Sequence, residues 1–176
     1  MDSGRYIYIT QGECRISSDP ITLLSTVLGS CVAACIWDPQ AGVGGMNHFL
    51  LPFGPAAGRV DPLRYGVHSM EVLTNELLKQ GANRKYLQAK LFGGATMLAN
   101  LGRIGESNAS FARDYLANED IPCLAEDLGG THARRVVFHP TSGQARLMKV
   151  RSTDVGAQVD VSPQLLEPRE NDVVLF

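Results

Sequence analysis

The sequence predicts an α+β fold, a layered mixed β-sheet structure carrying two main helices. Three observations point there. Short runs of alternating or β-branched apolar residues open the chain and return near its end. Two longer central stretches change period to steps of three and four. Strands come first, and the helices are then interleaved with further strands.

"RYIYIT" sets Tyr6, Tyr8 and Thr10 against Ile7 and Ile9, the pattern of a strand. "ITLLSTVLG" is apolar and β-branched and reads as a second extended segment ending at Gly29. "CVAACIW" is a short apolar run closed by the turn signal Asp38-Pro39. "GVGGMNHFLLP" is its return strand, where Gly44 and Gly45 signal a bulge or a close backbone approach. "FGPAAGRVDP" is a loop. Val67, Met70, Leu73 and Leu77 then mark an amphipathic helix over Leu63 to Gln80, with Gly81 placed as a C-cap glycine. "YLQAKLFGGA" is a strand. "GESNASFARDYLANED" is the second helix, with Phe111, Ala112, Tyr115 and Leu116 on its inner face. "CLAED" follows as a strand, and "GGTHARRVVFHPTSGQARLMKV" as a hairpin turning at Thr141-Ser142-Gly143. Residues 1–152 read as one domain. Residues 153–176 read as a C-terminal extension, partly ordered or flexible, whose closing "VVLF" is apolar enough to dock on the domain or on a partner.

Composition narrows the function classes. A chain of 176 residues fits one domain with a sizeable core, and 44% apolar residues is ordinary for a globular protein. A formal net charge of −2 without a basic stripe argues against nucleic acid. No run approaches the roughly 20 apolar residues of a membrane-spanning helix, and "MDSGRYIYIT" lacks a charged n-region followed by an apolar h-region, so it does not read as a signal peptide. A cytoplasmic protein is expected, with its four cysteines reduced.

Cys31 is the first candidate for chemistry. A free cysteine in an apolar run is most often a buried structural thiol. Here Gly29 and Ser30 precede it in a turn, it opens a strand, and His48 lies near the end of the next strand. The two ends of an antiparallel hairpin meet, and a turn centred near Gln40 pairs position 31 with 48 or 49. An imidazole there can take the thiol proton and create the nucleophilic thiolate. Such a base needs an acceptor on its other ring nitrogen. Ser25 and Thr26 are the nearest upstream hydroxyls, and spacing alone does not choose between them. Asn47 points to the opposite face by alternation, and Asp38 is at the far end of the hairpin.

Other features read as structural. Cys14, Cys31, Cys35 and His48 make a poor zinc set, because strand cysteines four residues apart spread too far and no C-x-x-C is present. "FGGA" and "DLGGTHARR" lack phosphate-loop spacing and suit close backbone approach or turns. Arg134-Arg135 reads as a solvated pair. His68 and His139 carry no motif, and His132 reads as a surface loop histidine.

Taken together, "STVLGSCVAACIWDP", "GVGGMNHFLLP", "KLFGGATML", "IGESN" and "IPCLAEDLGGTHARRVVF" resemble, in order, the successive blocks of the CheD family of chemoreceptor glutamine deamidases, and "ITQGECRIS" resembles its N-terminal block. The resemblance spans about Tyr8 to Lys149. It implies a papain-like logic on a fold similar to that of toxin-type cysteine deamidases. Cys31 matches the nucleophile and His48 the base. The family's third residue is a threonine six positions before the cysteine. Ser25 stands at that position, so the resemblance makes Ser25 the first choice as orienting residue and Thr26 the alternative. Backbone groups around Gly29, Ser30 and Cys31 would hold the oxyanion. The implied reaction converts specific glutamines of methyl-accepting chemotaxis receptors to glutamate through a cysteine thioester, with no metal and no cofactor. The implied partners are the receptors' cytoplasmic helices and a CheC-type phosphatase. Three other readings compete: a non-catalytic adaptor binding receptor or phosphatase, another kind of cysteine hydrolase, and a zinc-bound structural domain.

Overall fold

The computed structural model describes residues 3–53, 58–98, 103–150 and 173–176. It has ten strands and two α-helices in the order β1 (Arg5–Tyr8), β2 (Cys14–Ser17), β3 (Thr22–Leu28), β4 (Val32–Asp38), β5 (Val43–Asn47), α1 (Pro62–Lys79), β6 (Gln88–Gly93), α2 (Ile104–Asn118), β7 (Cys123–Leu128), β8 (Ala133–Phe138), β9 (Ala145–Val150) and β10 (Val173–Leu175), with a 3₁₀ turn at Arg84–Tyr86 before β6. The α+β class holds, with the strands divided between two five-stranded sheets. One runs β1-β3-β8-β9-β10 and the other β2-β5-β4-β6-β7. Each is mixed, since β1–β3 and β6–β7 are parallel and the remaining ladders antiparallel.

The layers run helices, second sheet, first sheet. Strand β4 is central, and all seven of its residues are buried. Both of its faces are covered, so its sequence shows no polar alternation. Val32, Ala34 and Ile36 pack with Met70, Leu73 and Leu77 of α1 and Phe111 and Leu116 of α2. Ala33, Cys35 and Trp37 pack with Leu24, Leu28, Val136 and Phe138 of the first sheet. Each fully buried large aliphatic side chain contributes about 1.5–3 kcal/mol, so both seams hold β4 firmly.

Helix α1 starts where its sequence chemistry changes. The Asp61 side chain accepts from Leu63 N–H at 3.0 Å, and Pro62 takes the first helical position. Gly81 ends it with φ +99°. At Gly44 and Gly45 the explanation is close approach, because the β4–β5 register runs without a shift. A Cβ on Gly45 would meet the Arg15 carbonyl of β2, and one on Gly44 the Pro140 carbonyl.

Two strands were not anticipated. Strand β2 has only four residues and pairs with β5. Strand β10 pairs with β9, and the Phe176 ring lies 5.5 Å from that of Phe92. The closing "VVLF" thus docks on this domain. The rest of the expected extension, residues 153–172, lies outside the described residues. Among the described residues, no helix is long and apolar enough to cross a membrane.

Candidate active site

Cys31 occupies the turn between β3 and β4, one residue before the strand begins. Beyond the end of β5, Val32 and Phe49 exchange both backbone hydrogen bonds, at 3.0 and 2.9 Å. That register places His48 opposite Ala33 and diagonal to Cys31 on the same face. The expected direct pairing of 31 with 48 or 49 is therefore out by one to two residues. The hairpin turn, Pro39–Gly42, is centred between Gln40 and Ala41. Diagonal neighbours on one face remain within reach of long side chains.

His48 is held on two sides. Its N–H donates to the Glu13 carbonyl at 3.1 Å, and its carbonyl accepts from Gly12 N–H at 2.7 Å. Its ring projects between the sheets, 7% exposed, and Nδ1 lies 2.8 Å from Thr26 Oγ1. The Thr26 hydroxyl donates its one proton to the Ile9 carbonyl at 2.6 Å. The oxygen can then only accept from the ring, so Nδ1 carries the imidazole proton and Nε2 carries the lone pair. Nε2 is buried and has no hydrogen-bond partner among the described residues. Burial holds the His48 pKa below its ordinary value, with the Ile9 carbonyl acting in the opposite direction.

Thr26, rather than Ser25, is the hydroxyl that meets His48. Leu24 and Leu28 face the second sheet, and strand alternation turns Thr26 the same way and Ser25 to the other face. Ser25 lies between Tyr8 and Val137 in the ladder, and its carbonyl accepts from Ile9 N–H at 2.8 Å. The alternating leucines around Thr26 were the sequence signal that identifies this face.

Burial pushes the Cys31 thiol above its ordinary value, opposed by its own backbone N–H. The thiol donates to the exposed Gln11 carboxamide oxygen at 3.5 Å. Three successive carbonyls of the turn are anchored. Gly29 O accepts from Ala95 N–H at 2.9 Å, and Cys31 O from Gly94 N–H at 2.8 Å. Ser30 O accepts from the Asn108 side chain at 2.8 Å. Asn108 is fully buried on α2, and its other arm accepts from Leu51 N–H at 2.9 Å. One side chain thus ties the thiol's turn to the segment following His48. Gly93 has φ +112°, and a Cβ there would collide with the Cys31 carbonyl. The glycine-rich "FGGA" therefore serves close backbone approach.

Arg134 is not solvated. It is 3% exposed, donates from Nε to Asp127 at 2.6 Å, and donates to the Gly93 and Gly129 carbonyls at 3.3 and 2.6 Å. It braces the glycine loop that braces the thiol's turn. His132 is exposed, and His139 bonds Ser142 and the Pro20 carbonyl away from this cluster. Cys14 packs on the helix side of the second sheet while Cys31 and Cys35 lie on the other side, so the four candidate zinc ligands are divided between two faces. Burial pushes the Cys14 thiol to about 11 and Cys35 far higher.

Residues 50–149 match the family model described as "CheD chemotactic sensory transduction". The chain is 48% identical over 179 residues to "Probable chemoreceptor glutamine deamidase CheD" of Rhizobium meliloti (strain 1021), covering 99% of this chain and 97% of that protein. It is 47% identical over 173 residues to the protein of the same name from Caulobacter vibrioides (strain NA1000 / CB15N), covering 97% of this chain and 92% of that one. Among solved structures it is similar to Neisseria meningitidis protein NMB0706, of family model DUF152, with 13% identity and a TM-score of 0.45 over 73% of this chain and 64% of that one.

Proposed function

The chain belongs to the CheD family, and from that premise we propose that it is a chemoreceptor glutamine deamidase, a cytoplasmic amidohydrolase with Cys31 as nucleophile, His48 as base and Thr26 as the residue that orients the base. The observation that carries the reading is the Thr26–His48 bond. It commits Nδ1 and leaves the Nε2 lone pair free on the face that Cys31 shares.

Thiol and imidazole are both neutral at rest, so the site starts without a thiolate–imidazolium pair. As Sγ bonds to the carbon of a glutamine side-chain amide, Nε2 takes the thiol proton. Negative charge moves to the amide oxygen, where N–H groups of the Ser30–Cys31 turn stabilise it. The anchored carbonyls of that turn keep those groups from shifting as charge develops. Nε2–H then protonates the amide nitrogen, the C–N bond breaks and ammonia leaves. Nε2 next takes a proton from water, whose oxygen attacks the thioester. The C–S bond breaks, Nε2–H returns its proton to Sγ so that thiol and neutral imidazole are restored, and the new carboxyl group ionises to glutamate.

The substrates are glutamines on the helical cytoplasmic region of chemotaxis receptors, as the relatives' names support. Each turnover places a negative charge on a helix surface, which shifts the receptor's signalling equilibrium. A CheC-type phosphatase is the partner that the family resemblance supplies.

Mass spectrometry of a receptor cytoplasmic fragment tests the reading. Incubation with wild type should raise particular glutamine peptides by about one mass unit as amide becomes acid, and folded Cys31→Ala should leave them unchanged. Chain cleavage, or conversion by Cys31→Ala at the wild-type rate, contradicts it.

A further inference from the structure

No pattern in the sequence marks Gln11, yet its carboxamide is hydrogen-bonded to the Cys31 thiol. Sγ–H donates to Oε1 at 3.5 Å. The side chain is exposed and contributes nothing to the core. Its backbone is fixed. Thr10 N–H donates to the Glu13 carboxylate at 2.8 Å, and Glu13 N–H donates to the Thr10 carbonyl at 3.0 Å. Gly12 turns the chain at φ +87° and donates to the His48 carbonyl at 2.7 Å. The turn that carries Gln11 is thus bonded to the backbone of the base while its side chain rests on the nucleophile.

A carboxamide has an acceptor arm and a donor arm. The terminal torsion of glutamine is broad and roughly two-fold, so the arms exchange with little cost. At rest the acceptor arm suits a protonated thiol. Once His48 has taken that proton, Sγ has no hydrogen to give and the new negative charge lies on the substrate oxygen bonded through carbon to Sγ. The NH₂ arm is then the one that the site calls for.

Resting on the deamidase reading above, we propose that Gln11 is a catalytic residue: its carboxamide holds the thiol proton at rest and, rotated, donates an N–H to the oxyanion on the attacked amide carbon. It would complete an oxyanion site whose other donors are backbone groups of the Cys31 turn. The experiment compares wild type, Gln11→Ala and Gln11→Glu in steady-state deamidation of a receptor cytoplasmic fragment, with the rate of Cys31 alkylation by iodoacetamide measured in parallel. Loss of one oxyanion donor lowers kcat by about a hundredfold. Gln11→Ala should show that drop with KM little changed and with alkylation at a rate near wild type. Gln11→Glu, isosteric but without donors and negatively charged, should fall further and need higher pH for alkylation. An active wild type with Gln11→Ala within about threefold of its kcat overturns this proposal alone, because a lost oxyanion donor costs far more. A wild type that leaves every receptor glutamine intact overturns the deamidase reading, and the Gln11 role with it.

Discussion

The two ends of the β4–β5 hairpin are built from the same ladder and treat their polar groups in opposite ways. At the turn end, Asp38 is buried and fully engaged. One carboxylate oxygen accepts from Gln40 and Ala41 N–H at 2.8 and 3.1 Å, and the other from Asn83 N–H at 2.8 Å. At the open end, His48 is also buried, but its Nε2 has no partner among the described residues, and the neighbouring thiol has one long bond to an exposed side chain. A buried polar atom without a partner costs roughly 1–3 kcal/mol. One end of the hairpin therefore secures the fold, and the other withholds a lone pair that a reaction can use.

Breaking the open end should produce the largest effect. His48→Ala removes the base and should lower deamidation at least about 10⁴-fold, in the range seen when a nucleophile–base unit is disabled. The unfolding temperature should fall modestly, because the lost packing and Thr26 bond of the buried ring are partly offset by removal of its unpartnered nitrogen. Thr26→Ala frees the ring to rotate or to change tautomer and should reduce kcat by about a hundredfold or more. Thr26→Ser keeps the hydroxyl and should recover most of that loss, while Ser25→Ala should stay near wild type. A Ser25→Ala variant as damaged as Thr26→Ala would reverse the assignment.

That assignment marks the boundary of what the sequence made legible. Cys31 and His48 were readable because a hairpin brings its ends together whatever the details of its turn. The choice between Ser25 and Thr26 depends on which face of β3 is inside. Leu24 and Leu28 encode it, but only once β3 is known to pack on a second sheet. Asn108 stands at a polar position in the stripe continued by Phe111, Ala112, Tyr115 and Leu116, and that local signal was available. Gln11 and Arg134 gave none. Gln11 reaches the thiol through the parallel β1–β3 and antiparallel β2–β5 ladders. Arg134 meets Asp127 where the chain passes from one sheet to the other. Gln11 meets a residue 20 positions away and Arg134 also meets the Gly93 carbonyl 41 positions away, and such pairings leave no periodicity behind.

Proton chemistry sharpens the contrast. The His48 pKa lies below its ordinary 6.5 because burial disfavours the imidazolium. The base is active when neutral, so the acid limb of kcat/KM should fall below pH 6.5. The Cys31 thiol lies above its ordinary 9.0, again through burial, so its alkylation should keep accelerating past pH 9. A plateau of alkylation at neutral pH would indicate a preformed thiolate and contradict the neutral resting site.

Breaking the turn end should affect catalysis least. Asp38→Ala removes the buried acceptor of three N–H groups, whose own residues are exposed, and should cost about 1–3 kcal/mol in denaturant unfolding, with kcat per folded molecule unchanged. Burial alone would raise the Asp38 pKa, but the bonds from Asn83, Ala41 and Gln40 outweigh it and hold the carboxyl below 3.8. Its contribution is thus complete above the unfolded value and is lost as pH falls through the folded one. Asp38→Ala should accordingly flatten the acid limb of the wild-type stability curve.

The most direct test is nitrogen-15 NMR of the four histidines in resting protein at neutral pH, with His48 assigned by its loss in His48→Gln. The expected state is a neutral imidazole protonated at Nδ1 with a bare Nε2. An Nε2-protonated ring, or an imidazolium beside a thiolate, would contradict it.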